Sequence, residues 1–172
     1  RVLFIKTYTN VCLTHPTYPN CRVGHESPYD EQIMSMPMIG TKATTDQHEV
    51  GKVQTLRSGT YFFFIFNLTN YFHFLYDTLP YLVHYKQLLT TNPECVLLLP
   101  KHHTWTRFQT EVLSLLGMTN FTSADEGDVY ETLFVPSSLT HGKTDGGQWA
   151  SNLPPSPDAW SIWTSMPRSL ST

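Results

Sequence analysis

The run TYFFFIF at residues 60–66, followed without pause by NLTNYFHFLYDTLPYLVHYKQLL at 67–89, decides the fold. The first is a continuous apolar run of strand length between Gly59 and Asn67, which predicts a strand buried on both faces. The second opens on residue types that cap helices, Asn67 and Asn70, and continues as a helical pattern with Lys86 near its end and a break at 90–93. Working outward, ECVLLL at 94–99 reads as a second buried strand stopped by Pro100. Thr104 or Thr106 caps a helix running to Met118, in which Phe108, Val112, Leu115 and Leu116 recur at helical spacing and Gly117 marks the stop. VYETLFVP at 129–136 is a third strand. Strands alternating with helices predict right-handed crossovers and an α/β fold, a Rossmann-like three-layer sandwich around a mainly parallel sheet.

The flanks are less regular. Residues 2–13 are rich in β-branched and aromatic types and read as one strand or two short ones. Residues 15–51 are punctuated by proline and glycine and read as an irregular covering segment with one short helix near 30–34. Beyond Pro136 the composition turns to Gly, Ser, Pro and Asp, a linker or flap, and a short helix from Ser156 or Asp158 carries Trp160 and Trp163 on one face. Residues 1–145 are thus expected to form one lobe, and 146–172 a linker and short helix. The start at Arg1, without a methionine, reads as a segment of something longer.

Composition narrows the function. With 40% apolar residues in 172 the chain fills a core, and 15% charged is too little for a disordered polar tail. A net charge of −3 offers no basic surface for phosphate backbones. The longest apolar run, Tyr61 to Phe66, is far short of the ~20 residues of a membrane span. Three cysteines cannot all pair. Cys12 and Cys21 are close enough to close a short disulfide loop, and Cys95 sits in a strand pattern where a buried free thiol is ordinary. Sequons at Asn67 and Asn120 fall where loops are expected and lean toward a secretory compartment. No cysteine pair has zinc spacing, His102 and His103 are adjacent, and the loop acids Asp125, Glu126 and Asp128 lack the Asp-x-Asp spacing of metal-dependent sugar transferases, so no metal site is expected. Ser137, Ser138 and His141 come without a G-x-S-x-G elbow, and neither a dinucleotide fingerprint nor a P-loop occurs.

The helix after the first buried strand carries the chemistry. At about 100° per residue, Tyr71, Phe72, Leu75, Tyr76, Leu79, Leu82 and Val83 share a core-facing arc, while Asn70, His73, Asp77 and His84 gather in a sector roughly 60° wide. The helix begins at the carboxyl end of a parallel strand, where ligand crevices form in open α/β sheets. His73 and Asp77 are one turn apart, and an imidazole–carboxylate pair there can take a proton from a sugar hydroxyl. The competing reading is a solvated face with a surface hydrogen bond worth about 0.2–0.5 kcal/mol. Pro80 removes the bond to the Tyr76 carbonyl and kinks the helix, or marks its restart.

Three ordered motifs resemble the amino-terminal half of family-61 glycosyltransferases: Asn70, His73, Asp77, Leu79 and Pro80; then Gln109, Glu111, Leu113, Leu116 and Gly117; then Val135, Pro136 and Ser137. They lie between Gly59 and His141, about half the chain. The resemblance implies one lobe of a GT-B enzyme, inverting and metal-independent, with no cofactor and a nucleotide sugar, a UDP-sugar, as donor. It implies Asp77 and His73 as the catalytic pair and a glycan or glycoprotein hydroxyl as acceptor; Asn70 and His84, on the same polar sector, are expected as acceptor contacts. Members of that family work in secretory organelles, the Golgi or endoplasmic reticulum lumen, and occur also in bacteria and large viruses. The family's motifs for the donor diphosphate are absent here, so donor binding is expected to need a second Rossmann-like lobe, in cis or as another chain. The alternative is a non-catalytic module that docks on a partner through Trp149, Trp160 and Trp163.

Overall fold

A computed structural model describes residues 5–14, 22–24, 55–66, 68–102, 104–126, 128–136, 141–143, 149–151, 161, 162 and 164. The buried apolar runs become the strands of a mixed sheet. Its strands are β1 (Ile5–Thr14), β2 (Arg22–Gly24), β3 (Thr55–Phe63), β4 (Val96–Leu99), β5 (Phe121–Ser123) and β6 (Asp128–Pro136), in the order β2-β1-β6-β3-β4-β5. Pairings of β6 with β3, β3 with β4 and β4 with β5 are parallel, whereas β1 pairs antiparallel with both β6 and β2. The α/β character and the parallel centre agree with the expectation; the antiparallel flank makes the sheet mixed. A separate hairpin pairs β7 (His141–Lys143) with β8 (Trp149–Ser151), joining residues on both sides of the boundary expected at 145.

Tyr61 to Phe66 are all buried: Tyr61 to Phe63 end the central strand β3, and Phe64 to Phe66 continue from it into the core. Two consecutive crossovers, β3 to β4 and β4 to β5, step the same way across the sheet, and right-handedness puts their helices on one face. The second helix is α3 (Arg107–Leu115), and it meets the first crossover through Tyr71–Phe108 and Phe74–Phe108 ring contacts. Ile162, in the helical residues near the C-terminus, belongs to the same hydrophobic core.

Several expectations change in detail. Gly59 is inside β3 rather than at its start: it takes φ +100, open to glycine for want of a Cβ, where the β3–β6 register shifts between Arg57 and Thr60. Its N–H donates to the Glu131 carboxylate at 2.6 Å, and Asn10 on β1 is also left-handed, so irregularities fall on three adjoining strands. β5 was read as loop; its three exposed residues form a strand because β4 offers a free edge, not because of their own hydrophobicity. In α3 the inward residues are Gln109, Val112 and Leu113, while Leu115 is exposed. Of the two candidate caps Thr106 is the one used: it forms a reciprocal capping box with Gln109, and Gly117 at φ +75 ends the turn that follows. The short helix expected near 30–34 lies outside the described residues, as do Trp160 and Trp163.

Candidate functional site

The element expected to carry the site is not one α-helix. It is α1 (Tyr71–His73), a π-helical turn (Phe74–Thr78), a 3-10 turn (Leu79–Tyr81) and α2 (Leu82–Leu89). Pro80 explains the sequence of turns. Its ring would strike the Tyr76 carbonyl in an α-helix and it has no N–H to give. The turn before it therefore widens, with the Leu79 N–H reaching Phe74 O five residues back, and the turn after it tightens, with the Leu82 N–H reaching Leu79 O. Single π turns of this kind recur at functional sites.

The N-terminus is held firmly. The Asn70 side-chain oxygen accepts from the N–H of Phe72 at 2.9 Å and of His73 at 3.2 Å. Just before it, the Leu68 carbonyl accepts from Gln109 Nε2, while Gln109 Oε1 accepts from the Thr106 N–H at 3.0 Å. One buried amide thereby caps α3 and ties it to the strand-to-helix turn. The motif containing Gln109 thus has a physical task, positioning the turn on which Asn70 sits.

The aromatic arc falls opposite to expectation. Tyr71, Phe72 and Tyr76 were assigned to the core, yet they are 64%, 51% and 46% exposed, and Phe74 is buried in their stead. The arithmetic assumed 100° per residue, and the wide turn breaks that phase. Phe72 and Tyr76 stack on each other at 4.7 Å between centroids and 28° between planes, a flat apolar surface at the carboxyl end of β3. The half-buried His73 ring lies beside Phe72, 5.8 Å away edge to face.

His84 does not join that surface. It is only 6% exposed, and Thr78 to Tyr85 are all buried. Four successive residues circle a helix, so no polar line survives in α2's first turn. Hence the structure brings Asn70 and His73 together at the rim and sinks His84 into the body. The Asp77 backbone lies in the π turn; its side chain, like those of Trp149 and the β2 residues, is outside the description.

The other assigned positions scatter. Cys12 is a half-buried free thiol, paired in register with Gly24, and Cys21 lies outside the described residues. Cys95 is buried and free, its thiol pushed up to about 11 by desolvation. Asn67 lies outside the description, while Asn120 is exposed immediately before β5 with Thr122 inside that strand. Asp125 pairs with Lys101 at 2.7 Å, and its carboxyl is held below the ordinary range by that ammonium and by the Glu126 N–H. Asp128 pairs instead with Arg57. Among the described residues no group of three or more His, Cys, Asp or Glu side chains gathers as metal ligands, and no helix is long and apolar enough to cross a membrane.

Sequence reasoning missed a hollow of about 250 Å³ at the amino-terminal ends of the parallel strands, bordered by Arg57, Tyr61, Asn120, Asp128 and Tyr130. Arg57 Nε donates to Asp128 Oδ2 at 2.9 Å, across 71 residues of chain that no local pattern links. Burial pushes the Tyr130 phenol upward, with the Asp128 charge adding to it. No family model, curated protein or solved structure matches the chain.

Proposed function

We propose that the chain is the acceptor-side lobe of an inverting, metal-independent glycosyltransferase that moves a sugar from a nucleotide-sugar donor to a glycan or glycoprotein hydroxyl. The observation that carries this reading is the exposed Phe72–Tyr76 stack beside His73, on a π turn at the carboxyl end of a central parallel strand. Flat aromatic pairs suit the C–H face of a sugar ring, and crevices of open α/β sheets lie at that end. The three-motif resemblance points to the same element, which adds weight by analogy.

In this mechanism the acceptor sugar lies on Phe72 and Tyr76, and its hydroxyl faces the start of the π turn. Asp77 or His73 takes the hydroxyl proton as the oxygen attacks the anomeric carbon in line. The new C–O bond forms as the bond to the nucleoside diphosphate breaks, and the configuration inverts. The donor sits on a second Rossmann-like lobe, in cis or as another chain. Asn70 acts as a positioning residue, because its side-chain oxygen is spent on the Phe72 and His73 amides. The two sequons fit work in the secretory pathway.

The test is sugar transfer by the protein in its full natural length, from a panel of UDP-sugars to a panel of glycan acceptors. Asp77→Asn is expected to lower transfer by about 10²–10⁴-fold with the circular dichroism and melting temperature unchanged. Full activity in the folded variant contradicts Asp77 as base; the same result for His73→Gln as well removes the catalytic reading altogether.

A further inference from the structure

The sheet ends at β5, and its outer edge lacks the usual protection. Phe121, Thr122 and Ser123 are all exposed, and Phe121 stays 42% exposed although its ring centroid lies 5.9 Å from that of Trp105. The Asn120 carbonyl accepts from the Leu97 N–H at 3.0 Å, and the Ala124 N–H donates to the Leu99 carbonyl at 2.8 Å, so the even-numbered residues point at β4. By alternation, the N–H and C=O groups of Phe121 and Ser123 point away from it. Such edge groups, beside an exposed aromatic and a β-favouring threonine, are a template for pairing with another chain. Edges of this kind are ordinarily blunted by a charged side chain or a proline, yet the stretch from Gly117 to Ala124 contains neither. The three-residue length of β5 is its one visible defence.

The same stretch holds Asn120-Phe121-Thr122, an acceptor sequence for N-glycosylation. Asn120 is exposed and immediately precedes β5. Its backbone is fixed, since its carbonyl also accepts from the Tyr85 hydroxyl at 3.3 Å. Its side chain is held loosely: Nδ2 lies 3.5 Å from the Glu94 carbonyl and 3.4 Å from the Cys95 carbonyl, outside the usual range of about 2.7–3.2 Å. A sugar on Nδ2 replaces one of two N–H groups and leaves the other for those carbonyls. We infer that Asn120 carries an N-linked glycan whose bulk covers the β5 edge and keeps Phe121 and its neighbours from pairing with another chain. The inference rests on the secretory placement in the proposed function. In that pathway the Asn120 amide nitrogen attacks the anomeric carbon of an oligosaccharide carried on a lipid diphosphate. The C–N bond forms, the C–O bond to the diphosphate breaks, and the amide gives up one proton as the lipid diphosphate leaves.

The experiment takes the protein at its full natural length from the cells that make it. Enzymatic release of N-glycans in ¹⁸O-water turns each modified asparagine into a labelled aspartate, which peptide mass spectrometry locates. Label at position 120 is expected in the wild type and in Thr122→Ser, and none in Thr122→Ala. Thr122 is exposed, so neither substitution is expected to move the melting temperature. Self-association is then measured by sedimentation. Thr122→Ala is expected to self-associate at least about tenfold more tightly than the wild type, and adding Phe121→Lys, which sets a charge on the edge, restores the wild-type behaviour. Label at Asn67 without label at Asn120 overturns the assignment and leaves the secretory placement standing, whereas label at neither contradicts both. Label at Asn120 with self-association unchanged in Thr122→Ala overturns the shielding role.

Discussion

At the carboxyl end of β3 the chain leaves the sheet through turns of three different pitches and sets Phe72 and Tyr76 into solvent, whereas at the amino end it stays extended and buries a carboxylate against an arginine. The apolar side chains are outside at one end and a charge is inside at the other. Each inversion of the usual burial rule has a backbone cause. At the rim, Pro80 cannot complete an α-helix, and the turns that accommodate it rotate the aromatics outward. At the amino end, the bulge at Gly59 shifts register between Arg57 and Thr60, with Arg57 set opposite Tyr130 and next to Asp128. Irregular backbone within an otherwise standard α/β sheet is where the unexpected surface chemistry lies.

The comparison breaks first at the rim's support. Tyr81 is fully buried and stacks on Phe66 at 4.1 Å and 16°, so it anchors the tight turn to the end of β3. Tyr81→Ala is expected to cost about 3–5 kcal/mol in urea unfolding, a large share of a typical domain's stability. A loss under about 1 kcal/mol means the rim is not held from beneath in this way.

Alkali probes the strands between the two ends. The Tyr85 hydroxyl, on α2, donates to the Cys95 carbonyl at 2.6 Å, and burial pushes this phenol up to about 12 and the Cys95 thiol up to about 11. Both groups hold their protons more tightly folded than unfolded. Their stabilisation is complete below the ordinary thiol value of 9.0 and is lost as pH rises through about 11 and then about 12. Urea midpoints are expected to drop between pH 9 and 12 by the equivalent of about 2 kcal/mol. A flat profile over that window shows the two groups to be solvated.

The bulge gives the smallest effect. A Cβ at position 59 meets no atom within 4 Å, so Gly59→Ala isolates the conformational cost of φ +100. About 1–2 kcal/mol is expected, together with altered amide shifts at Arg57 and Asp128. A neutral substitution indicates that the register shift does not depend on a left-handed residue.

Much of the sheet was legible because burial writes itself into composition: TYFFFIF and VLLL read as central strands, and Thr104 or Thr106 with Gly117 bracketed α3 to within a few residues. The N-cap at Asn70 was legible for the same local reason. What escaped depended on geometry that changes along the chain or on residues far apart. A fixed angle per residue misplaced Tyr71, Phe72, Tyr76 and His84, although Pro80 was the visible warning. The Arg57–Asp128 pair and the edge strand β5 arise from strand neighbours, which a single sequence does not display.

Glycan-array binding is the most direct measurement, comparing the wild-type chain with the Phe72→Ala, Tyr76→Ala double variant. Both side chains are about half exposed, so the variant is expected to fold with stability nearly unchanged, and its binding to the glycans that the wild type retains should fall at least about tenfold. Equal retention by the two chains, or retention of no glycan by the wild type, contradicts an acceptor site at the carboxyl rim.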